Sequence, residues 1–250
     1  METALIALRC LLLCCLLLPC ATARASEFVL YAYHLKPPYI IDRDKQLGLY
    51  YDLARFLNER IPGHSFRTVY LPRRRLEHEL QLGRLNGLVI GVNPAWFKDE
   101  TRSRYLWSPP FLRDQDVVVS LAAAPVAYEG PESLVGKHVG LSMGYYYYGV
   151  DELVRAGRLT RDDAINEEVS LDKLALRRVD AIIVTRRTLD FLGRHRADWR
   201  RQFHVARKAH DEFDRMILIP RELAAIVPEL AFVLGPIMND PDWTRIVSGH

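Results

Sequence analysis

A short apolar run, a loop and a helix with apolar residues every three to four positions follow one another repeatedly along this chain, and that order leaves few folds open. Residues 28–33 read as a buried strand, and residues 34–39, with Pro37 and Pro38, as a loop that the prolines hold extended. Gly48 then opens a helix over residues 49–61, whose Leu49, Leu53, Phe56, Leu57 and Ile61 fall on one face. The unit repeats with a strand at 66–70, a helix from Pro72 to Leu82 stopped by Gly83, and a strand at 87–92. Alternation of this kind predicts a mostly parallel sheet covered by helices.

The second half renews the pattern: strand 138–142, helices 145–156 and 171–177, strand 181–184 and helix 185–192. Between the halves, residues 122–131 are small and punctuated by Pro125, Gly130 and Pro131, as a crossover would be. A return crossing is expected near 213–219, after which Pro220 opens a terminal helix that packs back on the first half. The expected division is residues 1–25 as a leader, 26–120 with 216–250 as one lobe, and 121–215 as a second.

The leader is read from its composition. Residues 10–20 form a short apolar run, and Ala23-Arg-Ala25 offers a small-residue cleavage site, the pattern of a secretory signal peptide. The alternative is a retained anchor, because residues 4–23 are nearly long enough to span a bilayer if Arg9 snorkels. Leu18-Pro19 is a poor context for a lipid on Cys20. All four cysteines, Cys10, Cys14, Cys15 and Cys20, precede Ser26, so a cleaved chain holds no thiol for a disulfide, a thiolate metal site or a cysteine nucleophile. A formal charge of +3 over 250 residues is too small to imply nucleic acid, and no nucleotide-cofactor motif appears. The expectation is therefore an exported protein with no cofactor.

Candidate chemistry is concentrated at residues 100–111, where Arg102 and Arg104 precede an apolar turn. An arginine fork gives a carboxylate two parallel charge-assisted hydrogen bonds, although solvated loop charges are the plainer reading. Gly140-Leu-Ser142-Met-Gly144 matches a G-x-S-x-G nucleophile elbow between a strand and a helix, but no oxyanion loop of the His-Gly-Gly-Gly type accompanies it. Glu77, His78 and Glu79 are adjacent on one helix, point to different faces and cannot share a metal ion. His34, His64, His138, His195 and His210 have no ligand spacing, though His34 directly follows the first strand. In the run Tyr145 to Tyr148 all four rings cannot face one core, so one or two turn outward or into a cleft.

An ordered set of marks then carries a resemblance: Pro37-Pro-Tyr39 after the first strand, Gly48-x-x-x-Asp52-Leu-Ala54 at the first helix, Pro72-x-x-Arg75 and Leu80-x-x-Gly83 before the third strand, Arg102 ahead of Trp107-Ser-Pro-Pro-Phe111, Leu134-Val-Gly-Lys-His-Val-Gly140, and Val179-Asp-Ala181. Together they resemble the extracytoplasmic solute-binding proteins of polar amino acid ABC importers, solute-binding protein family 3. The resemblance implies a periplasmic monomer with an α/β, two-lobed type II periplasmic binding fold, each lobe a mixed, mostly parallel sheet flanked by helices, closing by a hinge on a small solute for a membrane permease. It places a ligand carboxylate on Arg102, with Arg104 as the other candidate, and Tyr39, Asn93 and Trp96 around it. Tyr33 and Lys36 lie near the first strand, Gly144 stands in the clamp after Gly140, and Tyr145 and Thr185 close from the second lobe. The position that commonly meets a ligand ammonium with an acid is Thr185, which cannot neutralise it. An enzyme on the same fold, a dehydratase with Glu100 or Asp180 as acid, and a ligand sensor for a membrane receptor are the alternatives.

Overall fold

The computed structural model describes residues 26–196 and 198–250, so the leader segment lies outside the described residues. Among the described residues one curled sheet of nine strands runs through the molecule, in the order 64–70, 26–32, 88–92, 203–219, 112–121, 181–185, 138–142 and 160–164, with 106–107 pairing on 203–219. Its first part is the expected alternation: β1 (Ser26–Ala32), α1 (Leu49–Arg60), β2 (His64–Tyr70), α2 (Arg73–Gln81) and β3 (Leu88–Val92), with β1 parallel to both β2 and β3. After the short β4 (Leu106–Trp107) comes the ten-residue β5 (Leu112–Leu121). The second part comprises β6 (His138–Ser142), α3 (Val150–Arg155), β7 (Thr160–Ala164), α4 (Glu167–Ala175), β8 (Ala181–Thr185) and α5 (Arg186–His195), with β6 parallel to β7 and β8. The short α6 (Trp199–Gln202) leads into β9 (Phe203–Ile219), and α7 (Val227–Leu234) and α8 (Pro241–Gly249) end the chain.

The two parts are joined by β5 and β9, which pair antiparallel with each other from Leu112↔Arg215 to Leu121↔Phe203. Register shifts flank Val117, so the ladder bends where it passes from one part to the other. Beyond the bend β9 pairs with β3 and β4, while β5 pairs with β8, and all of these pairs are antiparallel. Four apolar clusters flank the sheet. Two of them gather residues 30–112 with Ile217, Leu218, Ile219 and Trp243, and the other two gather residues 117–206. Helix α8 lies on α1 within the first group, where Trp243 meets Phe56 at 5.4 Å between ring centroids and donates from Nε1 to the Phe111 carbonyl at 2.7 Å.

Two local expectations differ from what forms, and one strand has no signal in the sequence. The helix expected over 145–156 begins only at Val150, because Gly144 and Gly149 both take positive φ (78° and 75°) and fold residues 143–149 into a loop. Gly149 has no room for a side chain, since a Cβ there would lie 2.4 Å from Pro131 Cγ. Residues 122–131, read as a crossover, instead carry buried Val126 and Tyr128 into the second group of clusters, and the crossing itself occurs inside β5. β7 has no apolar run to announce it, because it is a polar edge strand.

Candidate functional site

The concave face at the β5–β9 bend encloses a cavity of about 1150 Å³ between the two parts of the sheet. The first part contributes Tyr33, His34 and Lys36 from the end of β1, Arg73 from the start of α2, and Asn93 and Trp96 from the turn after β3. The second contributes Tyr145 from the loop after β6 and Thr185 at the end of β8, while Asp116, Phe213 and Arg215 come from the shared ladder. Strand ends meeting loops in this way produce a site that several elements hold at once.

Arg215 is the cation most completely built into the site. Its side chain is 1% exposed; Nε donates to Asp114 Oδ2 at 2.8 Å, Nη1 to the Gly91 carbonyl at 2.8 Å and Nη2 to Tyr39 Oη at 3.1 Å. Burial works against the guanidinium charge, but Tyr39, Tyr50 and Asp114 outweigh it and hold the proton more firmly than in water. Gly91 makes this possible: at φ 77° it sits in a bulge of β3, and a Cβ there would lie 1.8 Å from Tyr50 Oη. His34 packs beside this group, and burial, together with Arg215, Lys36 and Arg73, pushes its pKa well below the ordinary imidazole value, so the ring is neutral. His34 Nε2 faces Arg215 Nη1 at 3.4 Å as acceptor, which leaves Nδ1 as the donor toward Tyr50 Oη at 3.3 Å.

A second buried charge cluster links the two sides. Lys36 Nζ pairs with Glu167 Oε1 and donates to Thr185 Oγ1 at 2.6 Å, and Thr185 Oγ1 is 2.9 Å from Asp116 Oδ1 and 3.1 Å from Glu167 Oε1. Lys36 is 7% exposed and Glu167 2%. Glu167 opens α4 just after Asn166, whose side chain accepts from Val169 N at 2.9 Å, so the carboxylate rides on a capped helix start. Asp116, with two acids sharing one lysine, has its carboxyl pushed up to about 6, chiefly by burial. Thr188 Oγ1 donates to the Pro37 carbonyl at 2.6 Å beside this cluster, a further link from α5 to the loop after β1.

Arg73 is the partly exposed cation of the cavity, at 18%. Nε bonds Glu77 Oε1 at 2.8 Å and Nη2 the Trp96 carbonyl at 3.2 Å, and the guanidinium stands 5.1 Å from the Tyr33 ring and 5.8 Å from the Tyr145 ring. Tyr145 meets Tyr33 edge to face at 5.9 Å, so the second side touches the first through this ring. The Tyr145 loop is held by Arg161, which donates from Nη2 to the carbonyls of Ser142 (3.1 Å) and Tyr145 (3.0 Å) and from Nη1 to Asp151 Oδ1 at 2.6 Å. Trp96 and Phe213 form an edge-to-face wall at 4.8 Å. The Tyr33 hydroxyl is buried and meets no hydrogen-bonding group among the described residues.

Of the residues expected at the site, Tyr33, Lys36, Asn93, Trp96, Arg102, Tyr145 and Thr185 all line the cavity. Arg102 does so from the exposed rim, with its backbone at φ 54° and its amide donating to the Asp99 carbonyl at 2.7 Å. Tyr39 stands behind the cavity as a partner of Arg215, and Gly144 is an exposed turn residue that aims Tyr145. Arg104 lies apart, against Tyr105. Thr185 itself cannot neutralise an ammonium, but Glu167 and Asp116 both reach its hydroxyl, from α4 and β5. Sequence reasoning did not find Glu167, Asp116, Arg73, Phe213 or Arg215. Only Arg73, one residue after the helix-opening Pro72, carried a local signal. Asp180 binds the His138 backbone amide at 2.8 Å and does not line the cavity, whereas Glu100 lines it from an exposed position. Ser142 of the elbow-like motif is buried under the Tyr147 hydroxyl and does not line the cavity.

No protein-family model matches the chain, and no curated protein matches it in sequence. Solved structures do match in three dimensions. An ancestral arginine-binding protein bound to arginine superposes with a TM-score of 0.70 at 15% identity, over 90% of this chain and 98% of that one. The GluR0 ligand-binding core from Nostoc punctiforme, in complex with L-glutamate, gives 0.69 at 14% identity over 88% and 97%. The substrate-binding protein of an amino acid ABC transporter gives 0.66 at 15% identity over 89% and 98%. The fold of this chain is accordingly the two-lobed, type II periplasmic binding protein-like fold, as expected.

Proposed function

We propose that this protein is an extracytoplasmic solute-binding protein that closes two lobes on a small organic anion or amino-acid-like solute and presents it to a membrane permease. The lobes would be residues 26 to 120 with 216 to 250, and 121 to 215, the divide running across β5 and β9. The carrying observation is the cavity at the bend of those strands, walled by Trp96, Phe213 and Tyr145 and provided with the cations Arg73 and, at its rim, Arg102. A solute touching both walls has its full set of contacts only when they are together, and that difference in contact would supply the free energy of closure. An arginine-binding protein, the GluR0 ligand-binding core with L-glutamate and an amino acid ABC transporter's substrate-binding protein are among the structures that share the fold, which supports the reading.

In this assignment Arg73 and Arg102 hold the anionic end, Tyr33, Asn93 and Trp96 shape the first wall, and Tyr145 and Thr185 close from the second. Residues 1–25 would direct export and be removed, leaving a monomer without thiols. Thermal-shift screening of the exported chain against amino acids, organic acids, polyamines and sugars is the test, since a solute at a hundredfold excess over its Kd stabilises by about 2.7 kcal/mol. With a hit in hand, Arg73→Ala or Arg102→Ala should weaken binding by roughly tenfold or more, while Arg104→Ala stays within about 1 kcal/mol of wild type. Conversion of a hit to product, rather than its stoichiometric retention, would replace the binding role with an enzymatic one.

A further inference from the structure

We infer that Lys36 occupies, from within the chain, the place at the acidic end of the cleft that a solute ammonium would take, so that the solute is a carboxylate without an amino group. The inference rests on the cleft reading above and deepens it. Recognition of an ammonium in a buried site needs an acceptor carboxylate, a hydroxyl and ring faces at about 6 Å or less. All of these surround Lys36 Nζ: the Glu167 carboxylate, Thr185 Oγ1 at 2.6 Å, and the Tyr145 and Tyr39 rings at 5.6 and 5.9 Å. The cage belongs to both sides of the cleft, as a solute site would, yet its occupant is a side chain of the loop after β1.

The other acids near the cavity, among the described residues, are paired or exposed. Glu77 is held by Arg73, Asp114 by Arg215, and Asp214 lies 3.6 Å from Arg113. Asp99 is turned to the amides of Arg104 and Tyr105 and to Trp107 Nε1. Glu100, Asp211 and Glu212 are exposed to water. Asp116 faces Thr185 Oγ1 within the Lys36 cluster itself, where an incoming cation would meet the lysine charge. Arg73, 5.8 Å from the same Tyr145 ring, is the partly exposed cation, and the buried Tyr33 hydroxyl beside it lacks a partner among the described residues. A carboxylate suits Arg73, and the Trp96–Phe213 wall suits an apolar or aromatic body.

Matched pairs of probes decide it. Calorimetry on the exported chain would compare 3-phenylpropanoate with L-phenylalanine, and glutarate with L-glutamate, the members of each pair differing only in the amino group. The expected result is that the protein binds the amino-free member of at least one pair tenfold or more tightly than its partner. Lys36→Met should shrink that ratio at least tenfold by opening the cage, and Lys36→Met with Glu167→Gln, which removes the acid as well, should not bring amine binding back. Tighter binding of the amino form by wild type, or an unchanged ratio in a folded Lys36→Met, overturns the inference and leaves the cleft reading standing. Should Lys36→Met fail to fold, the wild-type ratios alone decide. If none of the four carboxylates binds at millimolar concentration, the carboxylate reading of the cleft falls, and this inference with it.

Discussion

Replacing Arg215 by Met is a severe perturbation whose size can be worked from its surroundings. The substitution keeps an unbranched apolar stem but removes the charge-assisted bond to Asp114 and the bonds to the Gly91 carbonyl and Tyr39 Oη. Asp114, whose side chain is 0% exposed, then keeps only Tyr39 Oη and the Gln115 amide, at 2.9 Å, as donors. Breaking a buried ion pair from one side typically costs about 3–5 kcal/mol, most of it the desolvated charge left behind. For a chain of this length each kcal/mol lowers Tm by roughly 2–4 °C, so the variant should melt on the order of 10 °C below wild type. The double variant Arg215→Met with Asp114→Asn removes the stranded charge and should recover at least about 1–2 kcal/mol. Guanidinium denaturation of the three proteins, analysed for midpoint and slope, measures both effects. A single variant within about 1 kcal/mol of wild type, or a double variant no better than the single, would refute the reading of Arg215 and Asp114 as a mutually dependent buried pair.

Three further outcomes are expected. Asp116 has a folded-state pKa raised to about 6 from 3.8, so its contribution to stability is fully present below pH 3.8 and is lost as pH rises through 6; Asp116→Asn should flatten that segment of the stability–pH profile, a change of up to about 3 kcal/mol by urea titration at successive pH values. Trp243→Ala empties a site 2% exposed between Phe56 and Phe111 and strands the Phe111 carbonyl, for a loss of about 3–5 kcal/mol by the same assay. Gly91→Ala forces a Cβ onto Tyr50 Oη at a positive φ, and its soluble yield and Tm should fall more than those of Gly83→Ala, which also has positive φ but has nothing within 4 Å of its Cβ.

The fold was legible where periodicity and breakers agreed. β1, α1, β2, α2 and β3 have apolar runs bounded by Pro or Gly, and the structure keeps them within a few residues. What escaped was long or polar. Residues 203–212 of β9 carry His204, Arg207, Lys208, Asp211 and Glu212, so no apolar alternation announced a 17-residue strand, and only its apolar end at 216–219 could be seen. Its identity as a strand comes from pairing with β5, a contact across about ninety residues that no local window contains. The site divides in the same way. Tyr33, Lys36, Asn93 and Trp96 follow strands and could be placed from chain order. Glu167 stands behind Lys36 and Thr185 only because α4 points its start at β8, and Arg215 reaches the cavity only because β9 curls under β3.

The antiparallel β5–β9 ladder also sets an order for synthesis. The apolar clusters of residues 117–206 are made from one unbroken stretch of chain, complete once Ala206 has emerged. The clusters around α1 instead wait for Ile217, Ile219, Leu230, Leu234 and Trp243, so strands laid down first are the last to be covered. A nascent chain passing N-terminus first through a channel therefore carries the α1 side of β1, β2 and β3 incompletely covered until nearly its last residue is released. Chains shortened before Trp243 should then be captured by holdase chaperones through their first hundred residues, while their middle resists protease.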